Sequence, residues 1–313
     1  MIDAVRPRIA RRSLHGVLLL DKPLGLSSND ALQKVKRLYR AEKAGHTGTL
    51  DPLATGLLPI CFGAATKFSQ TSLDADKTYL ATLRLGQSRV GGDGEGEIIA
   101  ERPVDQALAQ IEAACAAFVG PVLQIPPMHS ALKKDGRALY DYARAGIEVE
   151  RTPRAVTIHS LVILDWDAAA SLLKIEVRCS KGTYIRTLAE DIGLRLGCGA
   201  HLAGLRRTGS GGLGLAAART LEQLGALDEA GRDALQHTPD SLLADWPPLR
   251  LAADEAGRFL SGLRRRVQQA DAPAVRVYGP EPAAILGSAH ILAGELIADR
   301  LLSPVEVQAL LNS

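Results

Sequence analysis

The sequence predicts an α/β protein with one large domain and a small β-rich domain at its end. Strand patterns such as Lys77–Leu85 alternate with helical patterns such as Val104–Phe118. After residue 248, short strand candidates separated by Gly or Pro predominate. We therefore expect a first domain over residues 1–248 and a second over residues 249–313, which suits a chain of 313 residues.

Three local predictions concern turns and helix ends. Gly120 is expected just after the C-terminus of the helix Val104–Phe118. Thr183 is expected to cap a helix that runs to about Leu196. The segment Gly91–Gly96 is expected to form a flexible polar turn, and it is no credible dinucleotide-binding fingerprint because it opens no apolar helix.

Composition narrows the class of protein. No apolar run approaches the roughly 20 residues that span a bilayer, and Val17–Leu20 is too short for a signal peptide. The four cysteines form no C-x-x-C pair, which disfavours a zinc site or a disulfide framework. We expect a cytoplasmic protein. The basic clusters Lys34–Lys43 and Arg151–Arg154 permit a phosphate-binding face, although solvated helix faces explain them equally well.

The segment Gly45–Gly56 is dense in residues with special backbone conformations. It contains three glycines, which let the backbone approach another molecule closely. Pro52 biases the preceding Asp51 toward an extended conformation. Such a loop holds one carboxylate in a defined place with room around it. A solvated turn is the ordinary alternative.

The sequence lacks the motifs of several other kinds of enzyme. The histidines are scattered without metal-ligand spacing, and there is neither a G-x-S-x-G elbow nor a phosphate-binding P-loop. Asp51 has no partner acid of the kind that glycosidases use. It remains a candidate covalent nucleophile, which needs a nearby cation to stay ionised in a closed site.

The segment Gly45–Gly56 closely resembles the catalytic signature of the TruB family of tRNA pseudouridine synthases. Further matches to that family follow in order between residues 16 and 208: Leu20–Pro23 with Gly25 and Ser27–Ser28, Lys77–Tyr79, Ser130–Lys133 with Leu139–Tyr140 and Ala143–Arg144, Cys179–Leu188, and Gly199–Arg207. The segment Ala283–Leu302 loosely resembles a PUA-type RNA-binding barrel. One position departs from the pattern, because His129 stands where the family often has tyrosine.

The resemblance implies the pseudouridine synthase fold: a large mixed, mainly antiparallel sheet flanked by helices. It further implies an RNA-gripping insertion over residues 121–154 and a PUA-like RNA-binding domain over residues 249–313. The implied reaction converts uridine 55 in the T arm of tRNA to pseudouridine. That isomerisation is redox-neutral, so no nicotinamide, flavin, metal or ATP is expected. The implied partner is tRNA, and the chain is expected to be a monomer with neither a membrane nor a protein partner.

The resemblance also assigns chemistry to individual residues. Asp51 becomes the nucleophile, attacking either C1′ of the ribose or C6 of the base. Arg186 becomes the ion-pair partner that keeps Asp51 charged. Tyr79 becomes the ring that stacks on the target base, with its hydroxyl a candidate in proton transfer at C5, and Leu205 the opposite wall of the pocket. For Arg186 the ordinary alternative is a structural salt bridge. For Tyr79 and Leu205 it is a place in the hydrophobic core.

Three more residues take roles from the same resemblance. The target uridine must leave its stack, at a cost of a few kcal/mol. His46 is expected to enter the space that the flipped base leaves, and Tyr184 to line the pocket. Lys22 is expected to support the catalytic loop or to meet a phosphate.

Two other functions remain open from the sequence. One is an RNA-binding protein or tRNA-folding chaperone, in which the Asp51 loop only holds its shape. The other is a nucleosidase-like hydrolase that uses Asp51 on free nucleosides.

Overall fold

The computed structural model describes residues 10–130 and 132–312. The strands are β1 Val17–Lys22, β2 Ala44–His46, β3 Ala54–Phe62, β4 Lys77–Leu85, β5 Gln87–Arg89, β6 Ile98–Glu101, β7 Gly120–Gln124, β8 Lys133–Lys134, β9 Arg137–Ala138, β10 Arg154–Asp167, β11 Leu172–Cys179, β12 Ala200–Ser210, β13 Leu213–Gly214, β14 Pro248–Arg250, β15 Arg265–Arg266, β16 Ala272–Tyr278, β17 Ile285–Leu292 and β18 Glu295–Leu301. The α-helices are α1 Ser28–Leu38, α2 Ser69–Asp74, α3 Leu108–Ala116, α4 Leu139–Arg144, α5 Ile185–Leu196, α6 Leu221–Ala226, α7 Glu229–Asp233, α8 Ala253–Leu260 and α9 Pro304–Leu311.

The described residues form two compact units. One takes in residues of Met1–Pro52, Gly56–Leu73 and Gly211–Ser313, and the other takes in Leu53–Thr55 and Asp74–Ser210. The boundary at residue 248 between a catalytic and a PUA-like domain stays a prediction.

In the first unit, β1 begins with four buried apolar residues and pairs antiparallel with β3, from Val17 opposite Cys61 to Lys22 opposite Gly56. Helix α1 follows because Ser27 caps it, accepting a hydrogen bond from the Asp30 amide at 3.1 Å. The helix buries Ala31, Leu32 and Val35 at helical spacing and leaves its basic residues outside.

The same unit ends in a five-stranded sheet of order β14-β16-β17-β18-β15, which confirms a β-rich C-terminal region. Its core includes Phe259, Val277 and Leu296. The sequence analysis expected mainly short strands after residue 248 and did not predict α8 or α9. Helix α9 begins with a capping box between Ser303 and Glu306.

In the second unit, five antiparallel strands lie in the order β12-β4-β11-β10-β7. Helices α3 and α5 pack on this sheet, and their residues Ile111, Leu188 and Ile192 join its core. The predicted α/β fold, with a large, mainly antiparallel sheet flanked by helices, is confirmed.

Two predictions of helix ends were wrong. Helix α3 ends at Ala116 and is capped by Ala117, whereas Gly120 begins β7 with a φ of 110°. Tyr184, not Thr183, is the N-cap of α5, because the Thr183 hydroxyl donates to the Ser180 carbonyl at 2.9 Å instead. Both helices follow from their apolar patterns, but neither end follows from residue type alone.

The turn Gly91–Gly96 is packed closely rather than loosely. A Cβ added to Gly92 would lie 2.7 Å from the Glu190 carboxyl carbon, and one added to Gly96 would lie 1.8 Å from the Val90 carbonyl oxygen. The glycines are therefore needed for close approach, not for flexibility. Among the described helices, none is both long enough and apolar enough to cross a membrane.

Candidate active site

The backbone on both sides of Asp51 is tied to the segment after β1. The buried Ser28 hydroxyl accepts a hydrogen bond from the Leu50 amide at 2.7 Å and donates to the Leu50 carbonyl at 3.0 Å. The Gly25 amide donates to the Pro52 carbonyl at 2.9 Å. Asp51 thus stands between two tethered residues, with its side chain half-buried.

The start of the same loop is held separately. The Thr47 amide donates to the Pro59 carbonyl at 3.1 Å, and the Ser72 hydroxyl donates to the Thr47 hydroxyl at 2.9 Å. Thr47 and Ser72 are buried. Gly48 follows with a φ of 78°, in the left-handed region that glycine adopts at no steric cost.

Lys22 and His46 lie in this first unit with Asp51. Lys22 is completely buried at the end of β1, and its ammonium donates to the Leu26 carbonyl at 2.5 Å and the Pro23 carbonyl at 3.0 Å. These contacts hold the turn that carries Ser28. His46 ends β2, opposite Ile60 of β3, and is half-buried.

The second unit brings together the other four predicted residues. Tyr79 on β4 and Leu205 on β12 are half-buried and pack against one core cluster, which also contains Ile185 of α5. Leu205 is opposite Ala81 in the β4–β12 register, so it lies diagonally across from Tyr79. Tyr184 and Arg186 are at the start of α5.

Arg186 is 5% exposed and its guanidinium is held at several points. Nη1 donates to the Asp93 carboxylate at 3.4 Å and the Gly91 carbonyl at 3.3 Å, and Nη2 donates to the His129 carbonyl at 2.5 Å. An ion pair and two neutral acceptors together fix the plane of the guanidinium. The predicted pairing of Arg186 with Asp51 stays a prediction.

Tyr184 is held through its backbone. Its amide donates to the Gln124 side-chain oxygen at 2.9 Å, and its carbonyl accepts from the Gln124 side-chain nitrogen at 3.2 Å. Gln124 is buried and is the last residue of β7.

Two ionisable groups with shifted pKa values lie in this unit beside the predicted residues. Burial, followed by the charge of Arg207, lowers the pKa of Lys77 to about 8. Burial, followed by the charge of Asp191, raises the pKa of Glu190, which is one turn after Arg186 on α5. No group of three or more His, Cys, Asp or Glu side chains within residues 10–130 and 132–312 is arranged to hold a metal ion.

The sequence analysis missed Asp93 and Gln124. Both form hydrogen bonds with residues that are distant in the sequence, and neither belongs to a motif that matched the family. The glycine-rich run around Asp93 was the available signal, because closely spaced glycines also mark tight packing. Gln124 precedes Pro126–Pro127, and no local pattern distinguishes it from an exposed glutamine.

Comparisons with known proteins give the family. The model of the TruB family pseudouridylate synthase N-terminal domain matches residues 36–185, and that of the tRNA pseudouridylate synthase B C-terminal domain matches residues 186–244. A tRNA pseudouridine synthase B of Verminephrobacter eiseniae is 58% identical over 318 aligned positions, covering 100% of this chain and 96% of the relative. One from Cupriavidus pinatubonensis is 57% identical and covers 94% and 96%.

Solved structures support the fold. The crystal structure of an archaeal box H/ACA sRNP Nop10–Cbf5 complex matches with a TM-score of 0.72 at 22% identity, covering 94% of this chain and 88% of the other. A Cbf5–Nop10–Gar1 complex matches with a TM-score of 0.73 at 23% identity, covering 94% and 86%. With its fold, both matching domain models and full-length relatives in agreement, this chain belongs to the TruB family of pseudouridylate synthases.

Proposed function

We propose that this chain forms pseudouridine in tRNA, at uridine 55 of the T arm, with Asp51 as the nucleophile. Family membership and the names of the full-length relatives support the reaction and the substrate class. The assignment of Asp51 rests on how its loop is held. The backbone of Leu50 is held by the Ser28 hydroxyl and that of Pro52 by the Gly25 amide, whereas the Asp51 side chain is only half-buried.

The reaction breaks the bond between C1′ of the ribose and N1 of uracil and forms one between C1′ and C5. A proton leaves C5 and N1 gains one, so no electrons enter or leave. Asp51 attacks C1′ or C6 to hold the intermediate covalently. Arg186 supplies the positive charge that keeps Asp51 ionised, and Tyr79 and Leu205 enclose the flipped base.

The remaining residues serve access and support. His46 fills the space that the base leaves, and Tyr184 lines the pocket. Lys22 supports the catalytic loop, because its ammonium is buried against two carbonyls rather than facing solvent. The tRNA is bound by a monomer, through the insertion at residues 121–154 and a PUA-like domain at residues 249–313. A cytoplasmic location stays a prediction.

The substitution Asp51→Asn tests the nucleophile. The variant, incubated with a tRNA transcript, should form no pseudouridine, because a neutral amide is a poor nucleophile. Asp228→Asn is the matched control, since Asp228 is an exposed N-cap and asparagine caps equally well. Pseudouridine formed by Asp51→Asn would refute the assignment.

The wild-type protein distinguishes the other functions in the same experiment. Mapping the modified nucleotide should give position 55, and another position would correct the site. Tight tRNA binding without pseudouridine would favour a chaperone. Free uracil released from uridine would favour a nucleosidase.

A further inference from the structure

The start of helix α5 has no side-chain cap of its own. Tyr184 is the N-cap residue, with φ −100° and ψ 111°, and its side chain makes no capping hydrogen bond. The first amide groups of a helix lack partners within the helix, so an uncapped start frays easily. Arg186 is only two residues further on. Its placement therefore depends on what fixes this first turn.

Gln124 holds the helix start from outside. Its side-chain oxygen accepts from the Tyr184 amide at 2.9 Å, and its nitrogen donates to the Tyr184 carbonyl at 3.2 Å. The same carbonyl accepts the first helical bond, from the Leu188 amide at 3.0 Å. One primary amide thus holds both backbone groups of one residue, which fixes the orientation of the chain as it enters the helix.

Gln124 is suited to this task because it is itself fixed. It is 3% exposed, and it ends β7 in register with Arg154 of β10. A side chain on a paired strand positions its target more sharply than one on a loop. Both of its bonds are partly shielded from water, so water does not fully replace a lost partner.

Arg186 has little tolerance for displacement. Its guanidinium meets Asp93, Gly91 and His129 at distances from 2.5 to 3.4 Å, so a small shift of the first turn breaks this set. We propose that Gln124 is a positioning residue for the pseudouridylation reaction, acting through Tyr184 to hold Arg186 in place without touching RNA. This inference rests on the proposed function.

The substitution Gln124→Met removes both polar atoms at nearly constant volume. The single-turnover rate on a tRNA transcript should fall about 10- to 100-fold, as expected for a catalytic group displaced by about 1 Å. The Kd for tRNA should stay within about threefold. Loss of affinity in proportion to the rate, or a rate within twofold of wild type, would overturn the proposal.

Gln124→Glu provides a rescue that a purely structural role would not give. A protonated carboxyl has one donor and one acceptor, as the amide has, whereas a carboxylate has only acceptors and repels the Tyr184 carbonyl. The rate of Gln124→Glu relative to wild type should rise at least threefold from pH 8 to pH 6, with Kd unchanged. A flat ratio would overturn the proposal.

Gln106→Met is the matched control, because Gln106 donates to the Leu196 carbonyl at the other end of α5, at 3.0 Å. It removes a comparable bond from the same helix and should leave the rate unchanged. A loss of rate equal to that of Gln124→Met would show a general effect of helix stability and overturn the proposal. Wild-type enzyme in the same assay separates the two hypotheses. If it forms no pseudouridine the proposed function fails, whereas the positioning role is judged only against an active wild type.

Discussion

The loop around Asp51 and the start of α5 are held in opposite ways. The loop is tied to residues close in sequence, as in the bond between Ser28 and Leu50, which are 22 residues apart. The start of α5 is held across the chain, by Gln124 from 60 residues away and by Asp93, which pairs with Arg186 from 93 residues away. A nearby tether forms whenever the local segment folds, whereas a distant one requires the whole second unit.

The two regions also differ in charge. Ser28 and Gly25 hold the loop through hydrogen bonds between neutral groups, each worth about 1 kcal/mol. The start of α5 includes the Arg186–Asp93 ion pair, with side chains 6% and 13% exposed. Breaking a buried ion pair leaves an uncompensated charge, which is far more destabilising than losing a neutral bond. Substitutions that break this ion pair at the start of α5 should therefore have the larger effects.

Arg186→Ala should give the largest effect. It removes the proposed countercharge of Asp51 and leaves Asp93 without this guanidinium. Turnover on tRNA should be abolished, and the free energy of unfolding should fall by about 3 kcal/mol. The Kd for tRNA, measured by filter binding, should change less than about tenfold, which corresponds to ~1.4 kcal/mol.

Arg195→Ala is the control on the same helix, because Arg195 is an exposed residue in the last turn of α5. It should leave turnover unchanged. Near-normal turnover of Arg186→Ala would remove Arg186 from the site. Arg186→Lys should not restore activity, since one ammonium cannot match the fork of the guanidinium.

Ser28→Ala should have a smaller effect. It leaves the Leu50 amide and carbonyl without their hydroxyl partner, which should lower the free energy of unfolding by about 1–3 kcal/mol. Because Asp51 follows Leu50 directly, the single-turnover rate should fall about tenfold.

The control for Ser28→Ala is Thr220→Ala, which removes the half-buried N-cap of α6 at a cost of about 1 kcal/mol. Urea denaturation measures both stabilities, and rapid-quench assays measure both rates. A similar rate for the two variants would show that the tether stabilises the fold without positioning Asp51.

Lys77→Met should have the smallest effect on turnover, and its effect on stability should depend on pH. The pKa of Lys77 is lowered from 10.5 to about 8, so the unfolded chain holds more protons between these values. The buried ammonium therefore destabilises the fold below about pH 8, and this penalty fades as the pH rises toward 10.5. The free energy of unfolding of Lys77→Met minus that of wild type should be about 2 kcal/mol larger at pH 7 than at pH 10. Urea denaturation at the two pH values measures this difference. A difference independent of pH would contradict the assignment.

Local patterns explain what the sequence analysis predicted correctly. Strand β4, predicted over Lys77–Leu85, follows from its local pattern, because neighbours in the chain decide it. The resemblance to a family located Asp51 and Arg186 and paired them with each other, but it predicted neither the bonds from Ser28 to Leu50 nor the ion pair of Arg186 with Asp93. Asp93 and Gln124 stayed hidden because each contacts a segment that is distant in the sequence.

Arg186 contacts residue 129 through the backbone, so this contact does not depend on which side chain residue 129 carries. Position 129 departs from the pattern that the family often shows, having histidine in place of tyrosine. The guanidinium binds the carbonyl of that residue, which every amino acid carries. The side chain at 129 is thus free to change during evolution without loss of this bond. A substitution at residue 129 should change how the insertion at residues 121–154 contacts RNA and should leave the placement of Arg186 intact.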